Sequence, residues 1–168
     1  GGAFKKGDRI KVLPSGFLSQ IKTIEINGKN IEEAYSPMSV SVTLKDDLDI
    51  SRGDMIVKEN NVPVISQDLD LMICWMDSAN LKSRKKVIIK HTTNECLGMI
   101  TEILYKLDVN TLHSIKDFED FKLNDIGRIK IRSSKPLFFD SYKKNRHTGS
   151  IILIDPNTNA TIAAGMII

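Results

Sequence analysis

The chain has 168 residues, 41% of them hydrophobic, with 24 Lys and Arg against 21 Asp and Glu for a net charge of +3. That is enough for one medium domain or two small ones of ordinary globular composition. The mild charge argues against a nucleic-acid binder, which carries a strong basic excess on one face, and apolar runs such as Ile151 to Ile154 are far too short to cross a bilayer.

Period two dominates from the start. "DRIKVL" (8–13) alternates charged and aliphatic residues, as a strand does with one wet and one buried face. Pro14-Ser15-Gly16 marks a turn. Asn27-Gly28 marks a two-residue hairpin, because a type I′ turn needs positive φ at both central positions. "SVSVTL" (39–44) alternates again, and Arg52-Gly53-Asp54 reads as a tight turn before a strand rather than an adhesion tripeptide. "KENNVPVIS" (58–66) ends one strand set with an Asn pair and a proline, and "DLDLMICWM" (68–76) opens another, so a boundary is expected near residue 66.

In the second half, Asp68 and Asp70 share a face of that strand with no evident acidic partner, and read as a polar outer face. Trp75, the only tryptophan, reads as a core or inter-domain residue. "KSRKK" (82–86) is the one dense basic cluster and reads as a solvated turn. Asp108 is placed to cap a turn or to pair with Arg146 or His147. "SIKDFEDFKL" (114–123) reads as a loop carrying a short helix, since Ile115, Phe118 and Phe121 are spaced by three. "GRIKIRS" (127–133) returns to alternation. Ile151 to Ile154 is continuously apolar, as for a strand covered on both faces, and Gly149 just before it permits a bulge or bend. Arg146, His147 and Thr148 then fall on a rim loop, structural in itself or a contact to another domain or subunit.

The expected fold is therefore all-β, with little helix: two small antiparallel β-barrels over 1–66 and 67–168. Residues 1–66 carry nine basic and nine acidic side chains, so the positive excess falls in the second half, about fifteen against twelve. Cys74 and Cys96 have no CxxC spacing and suit a reducing cytoplasm, with both as small buried residues. His91, His113 and His147 do not cluster, so no metal site can be argued. The sequence holds no GxxxxGK[ST] loop, no GxSxG elbow and no HExxH pair. On residues alone, a structural or partner-binding role is favoured over catalysis.

Two stretches carry a resemblance. "GDRIKVLPSG" (7–16) with "ISRGDMIV" (50–57) is similar to the second domain of translation-factor GTPases. "DLMICWM" (70–76), "YKLDVNTL" (105–112), "LNDIGRIKI" (123–131) and "FDSYKKNRHTGSIILIDPNTNATIAAGMI" (139–167) resemble the large, GTP-binding subunit of bacterial sulfate adenylyltransferase. The last pattern places Asp140, Tyr142, Asn145, Arg146, Thr148, Gly149, Asp155, Thr158 and Asn159 in order. One departure is Tyr35-Ser36-Pro37, where many relatives have Ala-Gly before the following strand, and it leaves the local turn geometry open.

The resemblance implies a carboxy-terminal portion of a longer subunit, with elongation-factor-like second and third barrels, the first lacking its opening strand. It implies a complex that joins ATP and sulfate into adenosine 5′-phosphosulfate and pyrophosphate, driven by GTP hydrolysis. Adenylyl transfer belongs to a separate small subunit, so the implied partners are that subunit and the GTPase domain of the full-length chain, with no nucleic acid and no membrane. GTP, ATP and Mg2+ are implied for the complex, and no cofactor, metal or catalytic residue for this chain. Arg146, His147 and Thr148 are the candidate inter-domain or subunit contacts. The alternative is a barrel pair of a translation factor that binds tRNA or the ribosome.

Overall fold

The computed structural model describes residues 2–168. Within it the chain forms two compact units, Gly1–Pro63 and Val64–Ile168. The division falls three residues before the expected 66, because Val64, Ile65 and Ser66 are already paired with Phe139, Phe138 and Leu137 in the second unit.

The first unit contains β1 (Ala3–Lys5), β2 (Arg9–Leu13), β3 (Leu18–Ile26), β4 (Lys29–Ile31), β5 (Glu33–Tyr35), β6 (Ser41–Leu44) and β7 (Met55–Lys58). The order in its main sheet is β4-β3-β2-β7, with β6 also on β3; β1 and β5 make a separate ladder. The alternation of β2 puts Ile10 and Val12 in a small core with Ile21, Ile24 and Ala34. The Asn27-Gly28 hairpin forms as read: both residues have positive φ, 50° and 75°, and Ile26 faces Lys29 across the turn. Arg52-Gly53-Asp54 is a turn, with Gly53 at φ 104° and the Ser51 N–H donating to the Asp54 carboxylate at 2.9 Å.

The second unit contains β8 (Val64–Trp75), β9 (Lys86–His91), β10 (Asn94–Leu107), β11 (Ser114–Ile115), β12 (Ile126–Phe139), β13 (Ser150–Ile154) and β14 (Thr161–Ile167). Antiparallel pairing runs β10-β12-β8-β14-β13-β9 and returns to β10, so six strands close into a barrel. Closure leaves the six without a free edge. Inward positions alternate along each strand: Leu69, Leu71, Ile73 and Trp75 on β8, Ile129 and Ile131 on β12, Ile151 and Leu153 on β13. Trp75 is fully buried, and its indole N–H donates to the Ala79 carbonyl at 2.8 Å. The all-β class is what the strand pattern predicted; the second unit closes as a barrel, while the first has an open sheet and a separate two-stranded ladder.

Three local expectations change. Residues 114–123 form no helix: β11 is two residues long, and Phe118 and Phe121 then fold inward edge-to-face at 6.1 Å between ring centroids. Burial of Phe121, whose carbonyl accepts from the Leu81 N–H at 2.9 Å, replaces the local turn that the three-residue spacing suggested. The run 151–154 is not covered on both faces, because Ile152 points outward and is 39% exposed. The expected polar outer face of Asp68 and Asp70 is present, and each meets an arginine across the strand pair: Arg132 at 2.9 Å, and Arg128 with two hydrogen bonds at 2.8 and 2.6 Å. Within 82–86, Lys85 is withdrawn from solvent to Asp155 at 3.1 Å and lies 5.9 Å from the Trp75 ring, while Lys82, Arg84 and Lys86 remain exposed.

Candidate functional site

The segment from Asp140 to Gly149 joins β12 to β13 and carries Arg146, His147 and Thr148. It folds on its own hydrogen bonds. The N–H groups of Lys144 and Asn145 donate to the Ser141 carbonyl at 2.9 and 3.0 Å, and that of Gly149 to the Asn145 carbonyl at 2.8 Å. Two further bonds seat the loop on β14: Tyr142 N–H to the Ile167 carbonyl, and Ile167 N–H to the Gly149 carbonyl, both 2.8 Å. Gly149 does not serve as a bend of unusual φ. It is required by close approach: a Cβ there would fall onto the Cα of Tyr142, 2.5 Å from the Tyr142 nitrogen and 2.8 Å from the Asn145 carbonyl oxygen.

Thr148 is turned inward. Its hydroxyl donates to the Asp140 carboxylate at 3.1 Å, and its carbonyl accepts from His91 Nε2 at 2.7 Å. Burial alone would raise the Asp140 pKa; the Lys144 ammonium at 2.6 Å and the Thr148 hydroxyl outweigh it and hold the carboxyl below its ordinary value. Arg146 and His147 face solvent, with the Arg146 guanidinium 5.9 Å from the Tyr142 ring centre. The arrangement offers an exposed cation and an imidazole on a braced rim.

His91, which anchors the loop from β9, was not singled out as a site residue by sequence reasoning. Nothing local signals it, because its partner lies 57 residues away. Burial depresses its pKa below the ordinary 6.5, against the opposing hydrogen bond to Thr148. The neutral ring donates through Nε2, so protonation is disfavoured in the folded state. The unfolded chain then takes up the proton first, and folding stability is full above pH 6.5 and falls as the pH drops from 6.5 toward the lower folded-state value. Urea midpoints at pH 7.5 and 5.5 are expected to separate more for the native chain than for His91→Gln; equal separations would remove His91 from this role.

The other residues of the carboxy-terminal pattern serve a different turn. The Asp155 carboxylate accepts from the N–H groups of Asn157 and Thr158 at 2.9 and 3.3 Å, and the Asn157 bond and Lys85 lower its pKa. Asn159 adopts φ 58°. Asp108 caps its own turn through the Asn110 and Thr111 N–H groups at 2.8 and 3.2 Å and pairs with neither Arg146 nor His147. Both cysteines are free; Cys96 is buried as expected, but Cys74 is only half-buried, because the alternation of β8 turns it outward between the buried Ile73 and Trp75. Among the described residues, no group of three or more His, Cys, Asp or Glu is arranged to hold a metal ion. Two shallow grooves lie in the first unit, one along Val42 to Ile50 and one between Asp8, Arg9, Lys58 and Glu59, whose side chains pair with each other at 3.0 Å.

Residues 68–168, the closed barrel almost entire, match the family model described as GTP-eEF1A C-terminal domain-like. The chain belongs to this family. Among curated members similar to this GTP-eEF1A C-terminal domain-like chain, the bifunctional enzyme CysN/CysC of Mycobacterium tuberculosis is 46% identical over 168 residues, which are 99% of this chain and 27% of that protein. Sulfate adenylyltransferase subunit 1 of Bacteroides fragilis is 44% identical over 168 residues, 99% of this chain and 35% of that protein. These bear out the resemblance to the sulfate adenylyltransferase large subunit. The chain spans about a quarter to a third of the length of these curated relatives. Among solved structures, sup35 complexed with GDP has a TM-score of 0.87 at 16% identity, over 99% of this chain and 41% of that one. That likeness shows the translation-factor fold and nothing further. No helix among the described residues is long and apolar enough to cross a membrane.

Proposed function

We propose that this chain is the two-barrel region of the GTP-binding subunit of a cytoplasmic sulfate adenylyltransferase, where it couples nucleotide state to, and docks, the second subunit. The observation that carries the reading is identity of 44–46% along 99% of the chain to relatives named sulfate adenylyltransferase subunit 1 or CysN/CysC. A "subunit 1" implies a second subunit, and that is the partner we assign. The reaction would join ATP and sulfate into adenosine 5′-phosphosulfate and pyrophosphate. Sulfate is a poor nucleophile and the mixed anhydride is high in energy, so coupling to GTP hydrolysis makes chemical sense.

The residues of this chain do not fit the phosphate or Mg2+ sites of that chemistry. The sequence has no phosphate-cradling loop, and the described residues have no cluster of metal-ligating side chains. No step of adenylyl transfer or GTP hydrolysis is therefore routed through these barrels. Their part is to present a surface whose contacts differ between nucleotide states, since only differential contact shifts an equilibrium. The rim of Arg146, His147 and Thr148 is assigned as one such contact. A translation-factor role with tRNA or the ribosome has the fold relation alone in its favour.

The test is retention of the small adenylyltransferase subunit of the same genome on the immobilised chain, with and without the separately expressed GTPase domain. Retention by the chain alone is expected. Retention only when the GTPase domain is added would make the barrels a brace for that domain, and no retention in either case would overturn the docking role.

A further inference from the structure

The outer face of the closed barrel has two sectors of opposite character. On β12, the later part of β10 and the first half of β8, cross-strand charge pairs cover it: Asp68 with Arg132, Asp70 with Arg128, and Glu102 with Lys130 at 2.9 Å. That is how a barrel wall facing water is ordinarily dressed. The sector on β13, β14, the second half of β8, Ile88 of β9 and the start of β10 is largely apolar, with one charged pair at its border, Lys90 opposite Ile152 and bonded to Glu95 at 3.2 Å. Leu97 pairs with Ile88, and Ile88 with Ile154. On the next rows Ile152 pairs with Ala164 and Ala164 with Cys74, while Met166 pairs with Met72. All of these point outward, because their strand neighbours Val87, Ile89, Cys96, Ile151, Leu153 and Ile73 are the buried ones. Leu97, Ile152 and Met166 are 59%, 39% and 41% exposed in the whole chain. A contiguous apolar face of this kind marks an interaction surface, whereas scattered apolar residues do not.

Charge defines what covers it. Lys86 begins β9 at one end of the stripe, paired with Met99 and two residues from Ile88. Arg146 stands at the other end: its carbonyl accepts from the hydroxyl of Ser150, which is the neighbour of Met166. Among the described residues, neither cation has a carboxylate within ion-pairing distance, although thirteen such pairs occur elsewhere. An apolar centre between two unpaired cations is the complement of an apolar patch flanked by carboxylates, the usual core-and-rim arrangement of a protein interface.

We propose that the outer face of β9, β13 and β14 with the adjoining start of β10, centred on Ile152 and Leu97 and bounded by Lys86 and Arg146, is where the second subunit docks, through an apolar patch flanked by acidic side chains. The inference rests on the function proposed above and names the surface for it. It extends the rim contact of Arg146 to a face of which that rim is one edge.

The experiment is titration calorimetry of the chain against the small adenylyltransferase subunit. Ile152→Glu and Leu97→Glu, each placed on an exposed position, are expected to weaken binding about tenfold or more, and the pair Lys86→Glu with Arg146→Glu to weaken it and reduce its salt dependence. Lys130→Ala, in the charged sector, is expected to bind as the native chain does. Matching melting temperatures establish that a variant is folded, and Met166→Lys repeats the test from β14 if either glutamate variant is not. Native-like binding by the folded apolar-face variants would overturn the proposal while leaving the docking role intact on another surface. A native chain that binds nothing overturns both. Sedimentation showing a dimer of the native chain that Ile152→Glu dissolves would assign the face to a second copy instead and overturn the proposal.

Discussion

Trp75→Ala is expected to destabilise the second unit by about 3–5 kcal/mol, the range for truncating a large buried aromatic. The side chain has no exposed surface in the closed barrel and sits at the end of β8, where strand pairing passes on one side to Ala163 of β14. Its removal deletes core contacts, the N–H bond to Ala79 and the ring beside Lys85. Against a total stability of about 5–15 kcal/mol this is a large fraction. It corresponds to a fall in melting temperature on the order of 15 °C or more for a unit of this size. Trp75→Phe keeps most of the volume, and Ala79 is exposed, so water can satisfy its carbonyl. About 1–2 kcal/mol is expected there. Thermal melts followed by circular dichroism decide the matter, since the only tryptophan is the residue removed. A loss of only a few degrees in Trp75→Ala would show that the barrel is not organised around this side chain.

Gly149→Ala is expected to cost about 2–3 kcal/mol although it adds a single methyl group in a connecting loop. The new carbon would press on backbone atoms of Tyr142 and Asn145, which cannot rotate away as a side chain would. Relief requires the loop to lift, and lifting it breaks the bonds that tie Tyr142 to Ile167 and Ile167 to Gly149. Gly165→Ala is the internal comparison. Its Cβ would meet the Cγ2 atoms of Ile73 and Ile151 at 3.0 and 3.1 Å, side-chain atoms able to shift by a few tenths of an ångström, so a smaller loss is expected. Equal losses for the two variants, measured by urea unfolding, would contradict the backbone-clash account of Gly149.

Much of this molecule was legible in the order of its residues. Period-two alternation in 8–13, 127–133 and 68–76 specifies which side chains face inward, because a strand turns successive side chains to opposite faces whatever its neighbours are. The Asn27-Gly28 turn was legible for the same kind of local reason, since few residues tolerate positive φ at two positions in succession. The long motif from Phe139 to Ile167 was legible as a family signature, though not as geometry.

Only the tertiary structure decided the rest, and in each case the cause is a partner distant in sequence. Ile152 faces outward because β13 is one layer of a closed ring, which four consecutive apolar letters do not reveal. Phe121 is drawn into the core beside Leu81, and that burial outweighs the weak helical spacing around it. Arg128 and Arg132 find Asp70 and Asp68 about sixty residues earlier in the chain. The rim of Arg146 and His147 is held in place by His91, brought to Thr148 by the closure of β9 against β13. Local steric rules act within a few residues and are therefore written in the sequence. The sharing of a barrel wall between charged and apolar sectors depends on which strands become neighbours, and that is settled only when the ring closes.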